Sequence, residues 1–224
     1  MNRTIRVVGK IALAAAAGAV IGALIARRVP HLAEAHLNLP PGIKISLALW
    51  VLFSIYWSIA AKDSAPTRSS ESTGSRQLHL ILVNIALLVL VFPVPGLTRR
   101  FLPASEFFVV AGLIVQAAFI YLAVWARHNL GSNWSGEVRI AREHQLVRSG
   151  PYRFIRHPIY TGVLGMYCGT ALVSGQIHAL VALAMVALAY WRKIRMEEKA
   201  LSETFGAEFE SYRRNTWALV PLLY

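Results

Sequence analysis

Apolar stretches as long as a bilayer is thick leave few folds open to a chain, and this one has several. Residues 5–26, 43–61, 78–94 and 106–126 each approach the ~20 residues an α-helix needs to cross the hydrocarbon core. A fifth stretch, 159–190, is too long for one span and is interrupted at Ser174-Gly175-Gln176, which predicts two antiparallel helices turning at Gly175. Backbone polar groups inside lipid must be satisfied within the segment, so such runs become helices. The expected fold is therefore all-α: a polytopic transmembrane bundle of about six segments, including a C-terminal helical hairpin, followed by a cytoplasmic C-terminal helix. Residues 1–126 would supply four N-terminal transmembrane helices. Residues 127–224 would form the chemistry-bearing region.

The first run, flanked by Arg3, Arg6 and the Arg27-Arg28 pair, could also serve as a secretory signal. It is longer than a usual signal core and lacks a clear small-residue cleavage site, so it reads as a retained helix. The formal net charge is +12, a balance that often marks nucleic-acid binders. Here Lys and Arg gather at the ends of the apolar runs and form no separate basic stripe. Eighteen of the 23 fall on the side that holds both termini if six segments cross, so both ends and the basic segments are expected in the cytoplasm. Nucleic acid is not an expected partner; the bilayer is. No obligate protein partner is evident.

Cys168, the only cysteine, lies in an apolar run and reads as a small packed residue. It excludes an intramolecular disulfide and any cysteine-cluster metal site. The seven histidines are dispersed, so no metal site is expected, and there is no GxGxxG, P-loop or nucleophile elbow. The polar connector 62–77 is Ser-rich and carries no assigned chemistry.

Titratable residues cost most near lipid, so where they persist they point to function. Two blocks hold most of them: 127–160, ending in "RSGPYRFIRHPIY", and 192–214, "RKIRMEEKALSETFGAEFESYRR". Pro158 suits the first turn of a helix, which sets Arg156 and His157 at its N-terminal mouth. Free N–H groups there suit an anionic ligand; the plainer reading has these arginines reaching lipid headgroups. Lys193 and Glu197 are four apart and share a helix face. Glu197 and Glu198, being adjacent, point in different directions and do not read as a paired carboxylate site. Gly162, Gly165 and Gly169 recur at helical spacing, as in closely approaching membrane helices. Phe205, Phe209 and Tyr212 belong to a short amphipathic helix, and "WALVPLLY" follows as an apolar tail.

The series "HQLVRSGPYRFIRHPIYTG" (144–162), then "KIRMEEKALSETFGAEFESYRRN" (193–215), resembles the isoprenylcysteine carboxyl methyltransferase family and its bacterial relatives, themselves similar to phospholipid N-methyltransferases. "LGSNWS" (130–135) is also similar. The resemblance covers about the last hundred residues. It implies an S-adenosylmethionine-dependent methyltransferase embedded in the membrane, acting on a lipophilic acceptor such as a prenylcysteine-like carboxylate or a lipid amine. It also implies that His144, Gln145, Leu146 and Val147 line the cofactor, that Tyr152 and the His157, Pro158, Ile159, Tyr160 series enclose it, and that Glu197 binds it from the last helix. Lys193 and Arg156 are the candidate catalytic residues. Lys193 stands where eukaryotic members carry an arginine, and it lacks that residue's bidentate fork. Two rival readings are an NADPH-dependent sterol or enone reductase, whose C-terminal region is similar around Arg-His-Pro-x-Tyr-x-Gly, and a non-enzymatic protein whose basic loops bind anionic lipid.

Overall fold

The computed structural model describes residues 39–60, 72–131 and 146–220. The first apolar run, residues 61–71 of the connector region, the "SNWS" motif, His144 and Gln145 lie outside them.

Six α-helices occupy the described residues: α1 (Pro41–Ala60), α2 (Thr73–Val91), α3 (Glu106–Leu130), α4 (Pro158–Ser174), α5 (Ile177–Phe205) and α6 (Ala207–Arg214), with a 3-10 turn at Gly150–Arg153. Helices α1, α2, α3 and α5 are long and apolar enough to cross a membrane. Helix α2 begins five residues before the apolar run at 78. The Ser72 hydroxyl caps it by accepting from Ser75 N, and the polar first turn is useful because Arg192 of α5 donates to the Ser75 hydroxyl (2.8 Å). The expected hairpin is present, with Gly175 in the left-handed conformation (φ 62°) at its turn. Its two arms are unequal. Helix α4 has 17 residues, about 25 Å of helix, whereas α5 continues for 29, carrying the polar stretch 192–205 on the same rigid rod as the apolar one.

Helix α4 is the centre of the bundle. It packs most extensively on α3, and also on α5. The α3–α4 approach is as close as the small-residue spacing predicts: a Cβ at Gly169 would meet the Gly112 carbonyl oxygen at 2.6 Å. Gly169→Leu is therefore expected to force the two helices apart, at a cost of about 1–3 kcal/mol or more. Gly74→Ala, in α2 with open space around it, should be neutral or gain up to about 1 kcal/mol. Thermal melts of the detergent-solubilised variants, side by side, check both.

Polar bonds add specificity inside this apolar packing. The Ser46 hydroxyl donates to Gln116 Oε1 (2.7 Å), Gln116 Nε2 donates to the Ser46 carbonyl (3.0 Å), and Trp50 Nε1 donates to Thr170 Oγ1 (3.0 Å). Each side chain is satisfied where water is scarce, which ties α1, α3 and α4 in one register. At the turn end of the hairpin, Ile177 N donates to Arg99 O and Phe101 N donates to Gly175 O. The α2–α3 connector thus pins the turn, and the titratable groups collect at the opposite end of α4.

Candidate active site at the mouth of the hairpin

Gly150, at φ 57°, lies against the Asn129 side chain, where a Cβ would come within 2.4 Å of Oδ1. Only glycine fits there, and the 3-10 turn that follows buries Pro151 and Tyr152. The chain then turns at Phe154 and bends at Arg156 to reach His157, the N-cap residue of α4, with the fully buried Pro158 as the first helical residue.

The sequence reading gives this mouth to an anionic ligand. The N–H groups of Arg156 and His157, just before the helix, are taken by the chain itself, donating to Trp217 O (2.8 Å) and Ala218 O (3.1 Å). The anions that face the mouth are also the chain's own, Glu197 and Glu198 of α5. His157 is buried between them, with Nδ1 3.4 Å from Glu197 Oε2 and Nε2 3.2 Å from Glu198 Oε1. Arg156 Nε donates to the same Glu198 oxygen (2.8 Å). The adjacent glutamates are not paired on one helix face, yet both meet His157. Their side chains do leave α5 about 100° apart. An imidazole held between them has a nitrogen on each flank and reaches both.

The Tyr160 hydroxyl donates to Glu197 Oε1 (2.5 Å). Its ring stacks on His157 on one side (centroids 5.6 Å, interplanar angle 5°) and on Tyr190 on the other (4.6 Å, 27°). His79 of α2 meets Tyr190 edge-on at 5.4 Å. Lys193, one turn before Glu197 on α5, is buried and contributes positive potential at that carboxylate. Beside this column lies an apolar patch of Ala126, Tyr152 and Ile159, packed with Trp57, Leu130, Val147 and Tyr160. Leu146, next to Val147, is half-buried. Arg127 is buried at the end of α3, where it donates to Gly131 O (2.8 Å) and to Ala60 O (2.5 Å), fastening the ends of α3 and α1. Arg148 stands apart, paired with Glu208 on the exposed surface (2.6 Å).

Burial alone would lower the basicity of His157, but its bonds to Glu197 and Glu198 outweigh burial and raise its pKa above the ordinary imidazole value. A pKa raised by folding stabilises the fold fully below the unfolded value, about 6.5, and the contribution is lost as pH rises through the folded value. The difference in melting temperature between the wild type and His157→Asn should therefore be greatest at mildly acidic pH and shrink on the alkaline side.

Four residues of this arrangement escape the sequence reading: Trp57, Arg127, Tyr190 and Glu198. Tyr190 was within reach, because Val186, Tyr190, Lys193 and Glu197 follow helical spacing on one face of α5. Glu198 was not, because its partners Arg156 and His157 lie more than forty residues earlier.

A family model described as phospholipid methyltransferase matches residues 107–208, from α3 into α6. Protein-S-isoprenylcysteine O-methyltransferase of Saccharomyces cerevisiae is 31% identical over 123 residues, 54% of this chain and 52% of the relative. The cobalt-zinc-cadmium resistance protein CzcN of Cupriavidus metallidurans is 41% identical over 86 residues, 37% of this chain and 38% of that one. The chain thus spans about half the length, or less, of these curated relatives. Among solved structures, the eukaryotic intramembrane Ras methyltransferase ICMT (isoprenylcysteine carboxyl methyltransferase) shares the fold, with a TM-score of 0.59 at 20% identity, over 83% of this chain and 69% of that one. The helical bundle, the membrane-length helices and the ordered motif series around His157 and Glu197 agree with these matches: the chain is an integral membrane protein whose C-terminal half is similar to phospholipid and isoprenylcysteine methyltransferases.

Proposed function

We propose that this protein is a methyltransferase that moves a methyl group from S-adenosylmethionine to a lipophilic acceptor, at the cytoplasmic interface of the membrane. The acceptor would be a prenylcysteine-like carboxylate or a lipid amine. The observation that carries this reading is the half-buried Glu197 carboxylate, held by Tyr160 and His157 beneath an aromatic column, at the polar end of a membrane hairpin.

The donor set fits the cofactor. Carboxylates suit an ammonium and ribose hydroxyls, while the faces of Trp57, Tyr152 and Tyr190 suit a purine and a sulfonium. When bound, S-adenosylmethionine supplies a methyl group on a positively charged sulfur, open to direct displacement. In this reading Glu197 binds it, Tyr160 and His157 fix the carboxylate's orientation, and Tyr152 with Pro158, Ile159, Leu146 and Val147 encloses the apolar side. His144 and Gln145 would complete the lining.

Lys193 would face the acceptor and bring a positive charge to an anionic one, as a point charge rather than a fork. Arg156 is committed to Glu198, so it supports the site instead of meeting the acceptor. A carboxylate or thiolate already attacks as an anion. The remaining work is then alignment and exclusion of water, to which a closely packed helical hairpin is suited. Cofactor would arrive from the cytoplasm, and the acceptor sideways from the lipid.

Calorimetry on the solubilised protein tests the assignment. Saturable binding of S-adenosylhomocysteine with no heat from NADPH is expected. Binding of NADPH alone would contradict the assignment and point to the reductases that share the Arg-His-Pro-x-Tyr-x-Gly stretch.

A further inference from the structure

We propose that residues 216–219 form a strap that presets the His157–Glu197–Glu198 cluster, with Arg156 as the positioning residue that fastens it. This deepens the cofactor-site reading above and rests on it.

As sequence, the end of the chain looks like an apolar tail for the bilayer. In the fold, its backbone is laid alongside the residues leading into α4. Trp217 N donates to Phe154 O (3.0 Å), Arg156 N to Trp217 O and His157 N to Ala218 O, a short parallel ladder centred on the Ile155–Trp217 pair. The Thr161 hydroxyl, one turn into α4, donates to Leu219 O (2.7 Å). Ala218 is almost wholly buried. A segment anchored only in lipid would not spend its peptide groups in this way.

Arg156 joins this strap to the charged cluster. Its Nη1 donates to the carbonyls of Arg213 (3.1 Å) and Thr216, while its Nε donates to Glu198 (2.8 Å). One guanidinium therefore ties the end of α6, the strap and α5 together. Helix α6 backs the arrangement: Phe209 is fully buried and the Tyr212 hydroxyl donates to Tyr152 O (2.6 Å).

The consequence for His157 is specific. Its backbone N–H is fixed by the strap, and its two ring nitrogens are fixed by Glu197 and Glu198. Releasing the strap frees the N-cap residue of α4 and the Arg156 fork at once. The imidazole then loses the backbone register that sets it between the two carboxylates. If Glu197 binds the cofactor, strap closure and cofactor binding must favour one another, and the coupling is reciprocal.

Trypsin reads strap release directly, because Arg213 and Arg214 are exposed just before the strap. The full-length protein is digested with and without saturating S-adenosylhomocysteine, and cleavage at these residues is compared with cleavage at Arg99 and Arg100 at the other end of α4. The analogue is expected to slow strap-side cleavage several-fold and leave the far-end site unchanged. Thr161→Val keeps the side-chain shape and removes the hydroxyl that bonds Leu219 O and, within α4, lies 3.2 Å from His157 O. It should weaken S-adenosylhomocysteine binding by about 10-fold, speed strap-side cleavage by a similar factor, and be rescued by Thr161→Ser. Unchanged binding by Thr161→Val, with no protection of the wild type by an analogue that binds it, overturns the strap role and leaves the cofactor assignment standing. No binding of the analogue to the wild type overturns both.

Discussion

Glu197→Gln is expected to lower S-adenosylmethionine affinity and kcat/KM together, by about 10²–10³-fold. The amide keeps the shape and removes the charge. In the wild type the carboxylate accepts from Tyr160 (2.5 Å), faces Nδ1 of His157 (3.4 Å) and feels the buried Lys193. An amide offers at best one acceptor oxygen to these donors, and its N–H₂ group then confronts another donor. Breaking a buried charge pair by removing one member costs about 3–5 kcal/mol, at about 1.4 kcal/mol per decade. Glu203→Gln is the matched control: it is on the same helix but exposed, and should change neither quantity. Isothermal titration with S-adenosylhomocysteine separates lost affinity from lost turnover.

His157→Ala is expected to be nearly as damaging, and to destabilise the fold as well. It removes the group between two carboxylates and leaves Glu197 to Tyr160 and the field of Lys193, and Glu198 to Arg156. It also deletes one face of the Tyr160 stack. The cost should be about 3–5 kcal/mol by the same reasoning as for any buried pair that loses a member. The melting temperature should drop by several degrees, and cofactor affinity should fall by about 10²-fold or more. His157→Ala with Glu198→Gln should recover part of the melting temperature but not the affinity, because the second change relieves charge without rebuilding the support for Glu197.

What was legible in the sequence is what local rules govern. Gly175 between two apolar stretches marks the hairpin turn, Pro158 marks the start of α4, and the glycines at 162, 165 and 169 mark its contact face, because each acts through its own backbone or its own missing side chain. The start of α2 at Thr73 was hidden by polar residues that are useful only because Arg192 of α5 meets Ser75. The candidate site divides in the same way. His157, Tyr160 and Glu197 are carried by the motif series, and the structure brings them within bonding distance. Glu198 is not legible from the local rule that neighbours on a helix diverge. A partner more than forty residues distant, with a nitrogen on each flank, makes the divergence useful. The strap was missed for a similar reason: hydrophobicity describes the side chains of 217–220, whereas the contacts that matter are made by peptide groups.

The most direct test of the account is transfer of the methyl group itself. Membranes containing the wild type or Glu197→Gln at equal levels are incubated with methyl-labelled S-adenosylmethionine, and the label in the organic extract is measured. Lipid-soluble label that depends on the wild-type protein and is lost with Glu197→Gln is expected. Base treatment of that product then tells a carboxyl ester from an amine product. Equal label from wild type, Glu197→Gln and membranes lacking the protein would contradict it.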